Sequence, residues 1–169
     1  MSFLQHLPRP SQLGLMAVIG SGALLGGALY FQYVVGLAPC EMCHWQRWPH
    51  MVAIALGLAA VASIHWPRVA LAFVLAAIAA LTVTSAIGVF HAGVEQRWWL
   101  GPQSCTSRTP TGLSAEELKK YLFSAPPVLC DQIAWKMGGI SMAGWNALLS
   151  GGLAIALGLG IARYKKVLP

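Results

Sequence analysis

The chain has 169 residues, 57% of them apolar and only 9% charged, far below the roughly one quarter that soluble domains carry. This balance excludes a water-soluble globular domain. The net charge of +6 then reflects membrane topology and not nucleic-acid binding.

Charged residues are missing from four stretches, 10–40, 48–67, 69–94 and 137–162, and each supplies the ~20 residues that cross a bilayer. Helices are therefore predicted near 12–37, 46–65, 68–90 and 139–163. The expected fold is an all-α integral membrane protein, a four-transmembrane-helix bundle forming one domain over 1–169. Glycine and alanine interspersed in the apolar runs suit close helix packing in lipid. The first stretch is too long for a cleaved signal, and Pro39 before Cys40 does not suit a lipoprotein cleavage site, so it is expected to remain as a helix.

Four crossings put both termini on one side. Arg9, Arg68, Arg163, Lys165 and Lys166 fall there without an acid, which makes that side cytoplasmic by the positive-inside rule. Glu41, Glu95, Glu116, Glu117 and Asp131 all fall on the opposite, outer side. Trp45, Trp48, Trp66, Trp98, Trp99 and Trp135 cluster at helix ends or in the adjoining loop, as an interfacial aromatic belt does.

The inner link is only His65-Trp-Pro-Arg68, and the outer loop near 37–46 is also short. The second outer loop, near 91–138, is long, with polar turns at Gly101-Pro-Gln-Ser and Thr109-Pro-Thr-Gly. Ser114-Ala-Glu-Glu117 is a capping-box pattern that starts a short amphipathic helix. Leu118, Tyr121 and Leu122 share its apolar face, with Lys119 and Lys120 on the polar side. Such a helix either lies on the outer membrane surface or packs on its own loop.

All four cysteines, Cys40, Cys43, Cys105 and Cys130, fall on the outer side, where an oxidising compartment favours disulfides. Cys105 and Cys130 bracket the short helix, and a bond between them would add roughly 3–4 kcal/mol in the chain-entropy model. Alone, that pair reads as a structural staple. Cys40-Glu-Met-Cys43 instead enters the second membrane helix, where the positive end of the helix dipole lowers a thiol's pKa. Arg47 follows Cys43 by one turn and can stabilise a thiolate or a reduced quinone oxygen, although arginines at helix ends also snorkel to headgroups. His91 closes the third helix in the same outer layer, placed to donate a hydrogen bond or to be merely solvated.

Three other chemistries compete for these residues. Cys40-Glu-Met-Cys43-His44 also fits the attachment signature of c-type haem, but that leaves Cys105 and Cys130 without a role. Four-cysteine zinc is disfavoured because Cys105 and Cys130 form no second close-spaced pair, so no metal is expected. A non-enzymatic subunit braced by two disulfides would hold its cysteines inert.

Taken together, Pro39-Cys-Glu-Met-Cys-His-Trp-Gln-Arg47, Gly88-Val-Phe-His91, Cys105, Cys130 and Ser141-Met-Ala-Gly-Trp-Asn146 resemble the bacterial disulfide bond formation protein DsbB family. The resemblance covers nearly the whole chain and rests on the order of these elements. It implies a dithiol:quinone oxidoreductase of the bacterial inner membrane with its site on the periplasmic side. By that resemblance the Cys105–Cys130 disulfide accepts electrons from a DsbA-like thioredoxin-fold partner, with Cys105 forming the mixed disulfide. Cys40 and Cys43 pass them to ubiquinone or menaquinone, whose ring Arg47 and His91 hold. A DsbA-like disulfide is itself a strong oxidant, so only a stronger one can regenerate it. Gln46 stands where family members often carry glutamate, which bears on quinone affinity. Vitamin K epoxide reductase-like enzymes have the two cysteine pairs in the reverse order.

Overall fold

The computed structural model describes residues 9–106, 114–124 and 128–165. In chain order these form α1 (Pro10–Tyr33), α2 (Glu41–Ala62), α3 (Pro67–Glu95), the short α4 (Ala115–Ser124), a hairpin of β1 (Lys136–Met137) and β2 (Ile140–Ser141), and α5 (Met142–Lys165). The Thr109-Pro-Thr-Gly turn, Arg108 and Lys166 lie outside the described residues, as do the side chains of Leu118, Lys120, Tyr121, Leu122 and Lys165. The expected apolar face of α4 is therefore outside them too.

Among the described residues three helices, α1, α3 and α5, are long and apolar enough to cross a membrane. The helix predicted over 46–65 is displaced. As α2 it starts at Glu41 and stops at Ala62, which brings Glu41, His44, Gln46, Arg47 and His50 into its first turns. Its start has a local cause: Cys40 is extended, and its Sγ accepts the Cys43 N–H at 3.2 Å as an N-cap. Only 48–62 of α2 is without charge, about 22 Å of helix.

The other boundaries also moved. α1 ends before 37 because the chain reverses at Gly36, whose φ of 83° is left-handed, and the Leu37 N–H donates to the Phe31 carbonyl at 2.9 Å. α3 continues past 90 to Glu95, so His91 and Glu95 lie within its last turns. The purely helical expectation missed the hairpin, in which Lys136 pairs with Ser141 and Met137 with Ile140. Gly138 and Gly139, at φ 59° and 81°, supply the two left-handed residues of its turn. The Ser114 capping box does form: its Oγ accepts the Glu117 N–H at 3.4 Å, and its own N–H donates to the Glu117 carboxylate at 2.9 Å.

α2 packs between α1 and α3, and α5 packs mainly on α3. The shared core is built of Leu13, Ala17, Ala53, Ala60, Val74, Ala77, Leu81 and Leu157, while Ile19, Leu58, Leu75, Ile155 and Leu159 face outward. Small residues inside and large apolar ones outside suit a lipid solvent. A Cβ on Gly57 would stand 2.7 Å from the Gly14 carbonyl oxygen, so α1 and α2 meet backbone to backbone. At Gly88 a Cβ would stand 2.9 Å from the Ala143 carbonyl oxygen, which seats α3 on α5 just below the cysteines. Arg9, Ile64, Pro67 and Tyr164 gather at one end of the bundle, and the cysteines lie at the other.

Candidate active site

The site is assembled from helix ends. Cys40 caps α2 and Cys43 sits in its first turn, and this spacing sets their Sγ atoms 2.8 Å apart. Both thiols are free, Cys40 buried and Cys43 half-buried. The contact acts in opposite directions on the two thiols. The hydrogen bond to Cys43 pushes the Cys40 thiol well above its usual range, and burial and the charge on Cys43 act in the same direction. Cys43, ahead of the 46–65 stretch, is drawn down by the hydrogen bond from Cys40, against burial, with further help from its backbone contact with Cys40 and from Arg47. The two shifts run in opposite directions, so of the two sulfurs Cys43 is the more readily deprotonated.

α3 brings His91 against this pair, only 2% exposed, with Nε2 3.6 Å from Cys40 Sγ. The Gln46 side-chain amide donates to His91 Nδ1 at 2.8 Å, which leaves the imidazole proton on Nε2, facing the thiol. Gln46 is held in turn, because Asn146 Nδ2 donates to its Oε1 at 2.7 Å. His50 Nε2 donates to Asn146 Oδ1 at 2.9 Å, Ser150 Oγ donates to the same oxygen at 3.2 Å, and Thr84 Oγ1 donates to the Gln46 carbonyl at 2.9 Å. Side chains of α2, α3 and α5 are thereby tied into one buried polar ladder leading away from the thiols.

The second cysteine pair closes on the first. Cys105 and Cys130 form a disulfide with Cα atoms 5.2 Å apart. It is buried in one cluster with Cys40, Met42 and Val94, and Cys43 and Val128 pack against that cluster. The main chain of Cys130 also reaches the His91 ring. Cys105 is 1% exposed.

Cys40, Cys43, Arg47 and His91 all line a single cavity of about 380 Å³. The rest of its wall is mostly apolar, with Leu24, Phe31, Leu37, Trp135 and Leu149. Phe31 and Trp135 pack ring on ring at 4.9 Å. Arg47 is steered by a hydrogen bond to Gln32 Oε1 on α1. His44 is exposed and takes no part in this wall.

A family model described as disulfide bond formation protein DsbB matches residues 10–160. The chain belongs to the DsbB family. It is 34% identical to disulfide bond formation protein B of Stutzerimonas stutzeri, over 89% of this chain and 93% of that one. It is 33% identical to disulfide bond formation protein B of Idiomarina loihiensis, over 83% of this chain and 78% of the other. It is also 31% identical to an uncharacterised protein of Rickettsia prowazekii, over 87% and 85% of the two chains. No solved structure matches. DsbB membership and the three apolar helices make this a membrane protein of disulfide-bond formation, in keeping with a thiol oxidase.

Within this DsbB chain the structure adds residues that sequence reasoning gave no role, Thr84, Asn146 and Glu95, and shows Gln46, noted there only for quinone affinity, bridging His91 and Asn146. The Glu95 side chain is only 6% exposed, with Oε1 3.9 Å from His91 Nε2. One signal for the ladder was present, because His50, Thr84, Asn146 and Ser150 are polar residues inside otherwise apolar stretches, a pattern that marks functional positions in membrane helices.

Proposed function

We propose that this DsbB-family protein is a dithiol:quinone oxidoreductase: it reoxidises a DsbA-like thioredoxin-fold partner and passes the electrons to ubiquinone or menaquinone. The observation that carries this reading is the meeting of a thiolate-prone Cys43, Arg47 and His91 on the wall of one apolar cavity, directly beside a second, closed cysteine pair.

The residues present fit a quinone. A flat apolar ring and its isoprenoid tail match the Leu24, Phe31, Trp135 and Leu149 surfaces, and about 380 Å³ is within the usual range for small-molecule sites. Arg47 offers a fixed positive charge and His91 an N–H donor to the ring oxygens. When bound, the quinone supplies a two-electron, two-proton sink and leaves as the quinol.

The chain's own part is thiol–disulfide exchange. The partner's thiolate attacks the Cys105–Cys130 bond, with Cys105 forming the mixed disulfide, and the partner leaves oxidised. The thiols so released reduce a Cys40–Cys43 disulfide and reclose their own. The inner pair, a thiolate at Cys43 and a thiol at Cys40, then loses two electrons and one proton to regenerate its S–S bond, and the quinol's second proton comes from water. Cys43 acts as the nucleophile, and Cys40 delivers its proton as it attacks Cys43.

In this reading α2 is the fourth crossing. The crossing runs from Gln46 to Ala62, about 26 Å of helix with Cys40 and Cys43 outside it, and its polar residues Gln46 and His50 face the cavity and the polar ladder in place of lipid. Both termini, with Arg9, Arg68 and Arg163 nearby, lie in the cytoplasm of a bacterial inner membrane, and the cavity opens near the periplasmic surface. The haem alternative draws no support from His44, which is exposed while both cysteines face His91.

The test is anaerobic. Purified protein is mixed with a reduced thioredoxin-fold dithiol and ubiquinone-1, and quinone absorbance is followed. Catalytic loss that vanishes in Cys43→Ser supports the oxidase; no turnover, with a haem absorption band in the protein, would replace it with the cytochrome reading.

A further inference from the structure

Cys40 Sγ, Cys43 Sγ and His91 Nε2 lie within 4.8 Å of one another. They are two soft donors and one borderline donor on a buried wall. Glu95, buried one helical turn beyond His91, would swing in as the fourth donor: its Oε1 is 3.9 Å from His91 Nε2, Ser141 lies against its carboxyl, and among the described residues its Oε2 has no hydrogen-bond partner. An unpartnered carboxylate oxygen at a buried position is costly unless something occupies it.

We infer that the open dithiol form of this site binds a thiophilic divalent cation of the zinc class through Cys40, Cys43, His91 and Glu95, and that the bound cation blocks oxidation of the dithiol. The spacing is close to what this requires. Tetrahedral zinc with ordinary bond lengths separates a thiolate sulfur from an imidazole nitrogen by about 3.6 Å and two sulfurs by about 3.8 Å. Cys40 Sγ and His91 Nε2 already stand 3.6 Å apart, and the two sulfurs, at 2.8 Å, need to open by about 1 Å, within reach of a side-chain rotation. Metal binding through Nε2 moves the imidazole proton to Nδ1, where Gln46 would turn its amide oxygen toward the ring and give up its bond from Asn146 Nδ2. Binding releases the Cys40 proton and changes no oxidation state. Once both sulfurs are shared with the cation, neither can attack, and the S–S bond cannot form. A Cys-x-x-Cys alone offers two ligands; the histidine and the carboxylate from α3 are what make this a four-donor site.

This inference does not rest on quinone chemistry, and its test omits quinone. Full-length protein carrying Cys105→Ser and Cys130→Ser, so that only the inner pair supplies thiols, is reduced, freed of reductant under anaerobic conditions and titrated with cobalt(II). The expected result is saturation at one cobalt per chain, with the visible bands of a tetrahedral thiolate complex that zinc displaces. Adding Cys43→Ser should abolish the bands, and adding His91→Ala or Glu95→Gln should each weaken binding at least tenfold. Absence of saturable binding overturns the proposal, as does unchanged affinity in both His91→Ala and Glu95→Gln, since two thiols alone would then explain the signal. If His91→Ala loses its helical circular dichroism, Glu95→Gln, nearly isosteric with the native side chain, decides the outcome by itself.

Discussion

Cys40 Sγ and His91 Nε2 stand 3.6 Å apart although 51 positions separate them in the chain. The contact joins the N-cap of α2 to the last turns of α3 and is buried on both sides. It places a proton donor against the less reactive thiol of the pair and leaves Cys43 free to face the cavity. The division of labour between the two cysteines follows from that geometry and is open to measurement.

Arg47→Ala is expected to raise the KM for quinone by roughly ten- to a hundredfold, the worth of a hydrogen bond to a charged group, with a smaller change in kcat. Cys43→Ser is expected to abolish turnover. Steady-state kinetics against ubiquinone-1 check both, and wild-type quinone kinetics in the two variants would remove the cavity from the mechanism.

Alkylation of the reduced protein should distinguish the two thiols by pH. Cys43 lies below the usual thiol range and Cys40 above it, so iodoacetamide should modify Cys43 faster, and its rate should fall only as pH drops through the depressed value. The same signs apply to stability. The Cys43 contribution is present above the ordinary thiol pKa and is lost as pH falls through the folded value. The Cys40 contribution is present below the ordinary thiol pKa and is lost as pH rises. Peptide mapping by mass spectrometry is the readout, and equal rates at both residues at every pH would contradict the assignment.

Gln46→Leu removes the amide that joins His91 to Asn146 and strands polar groups on both. A loss of about 1–3 kcal/mol for each buried group left unpaired is expected. Thermal unfolding in detergent should show a lowered midpoint, and quinone turnover should fall with it. An unchanged midpoint would mean that the ladder contributes nothing to the bundle.

Gly57→Leu drives a side chain into the Gly14 carbonyl, where a Cβ alone would already be 2.7 Å away. Separation of α1 from α2 costs at least about 1–3 kcal/mol by overpacking. It should also loosen Arg47, which is hydrogen-bonded to Gln32 on α1. Parallel measurement of melting and of quinone KM tests this, since both should worsen together.

The three apolar helices were legible in the sequence because long charge-free runs have few alternatives in water or lipid. The start of α2 was not, because 41–50 is polar enough to read as a loop until Cys40 is seen capping it. The Gly138-Gly139 turn carried a known hairpin signal, but its strands are only two residues each, too short to show a period. Cys40, Cys43 and Arg47 were found from type and spacing and His91 from the family resemblance, and the structure gathers them on one cavity wall. The Gln46–Asn146 contact could not be read, because it depends on the packing register of α2 and α5, set by close approaches such as Gly88 on Ala143. The burial of Glu95 and Cys105 was hidden for the same reason: each is polar or loop-borne by sequence, and tertiary packing alone encloses it.

The enclosure of the Cys105–Cys130 bond, whose sulfurs are almost wholly out of solvent, sets who can exchange with it. A small free thiol that diffuses by finds no sulfur to strike, however reducing it is, because access to a disulfide limits its rate of exchange as much as thiol pKa does. In the reading proposed above, a partner has to lift Cys105 and Cys130 from their packing against Met42 and Val94 before exchange can start. On that proposal, traffic through the protein is admitted by shape, in the manner of a turnstile, and its oxidising power is not dissipated on the small thiols that surround it.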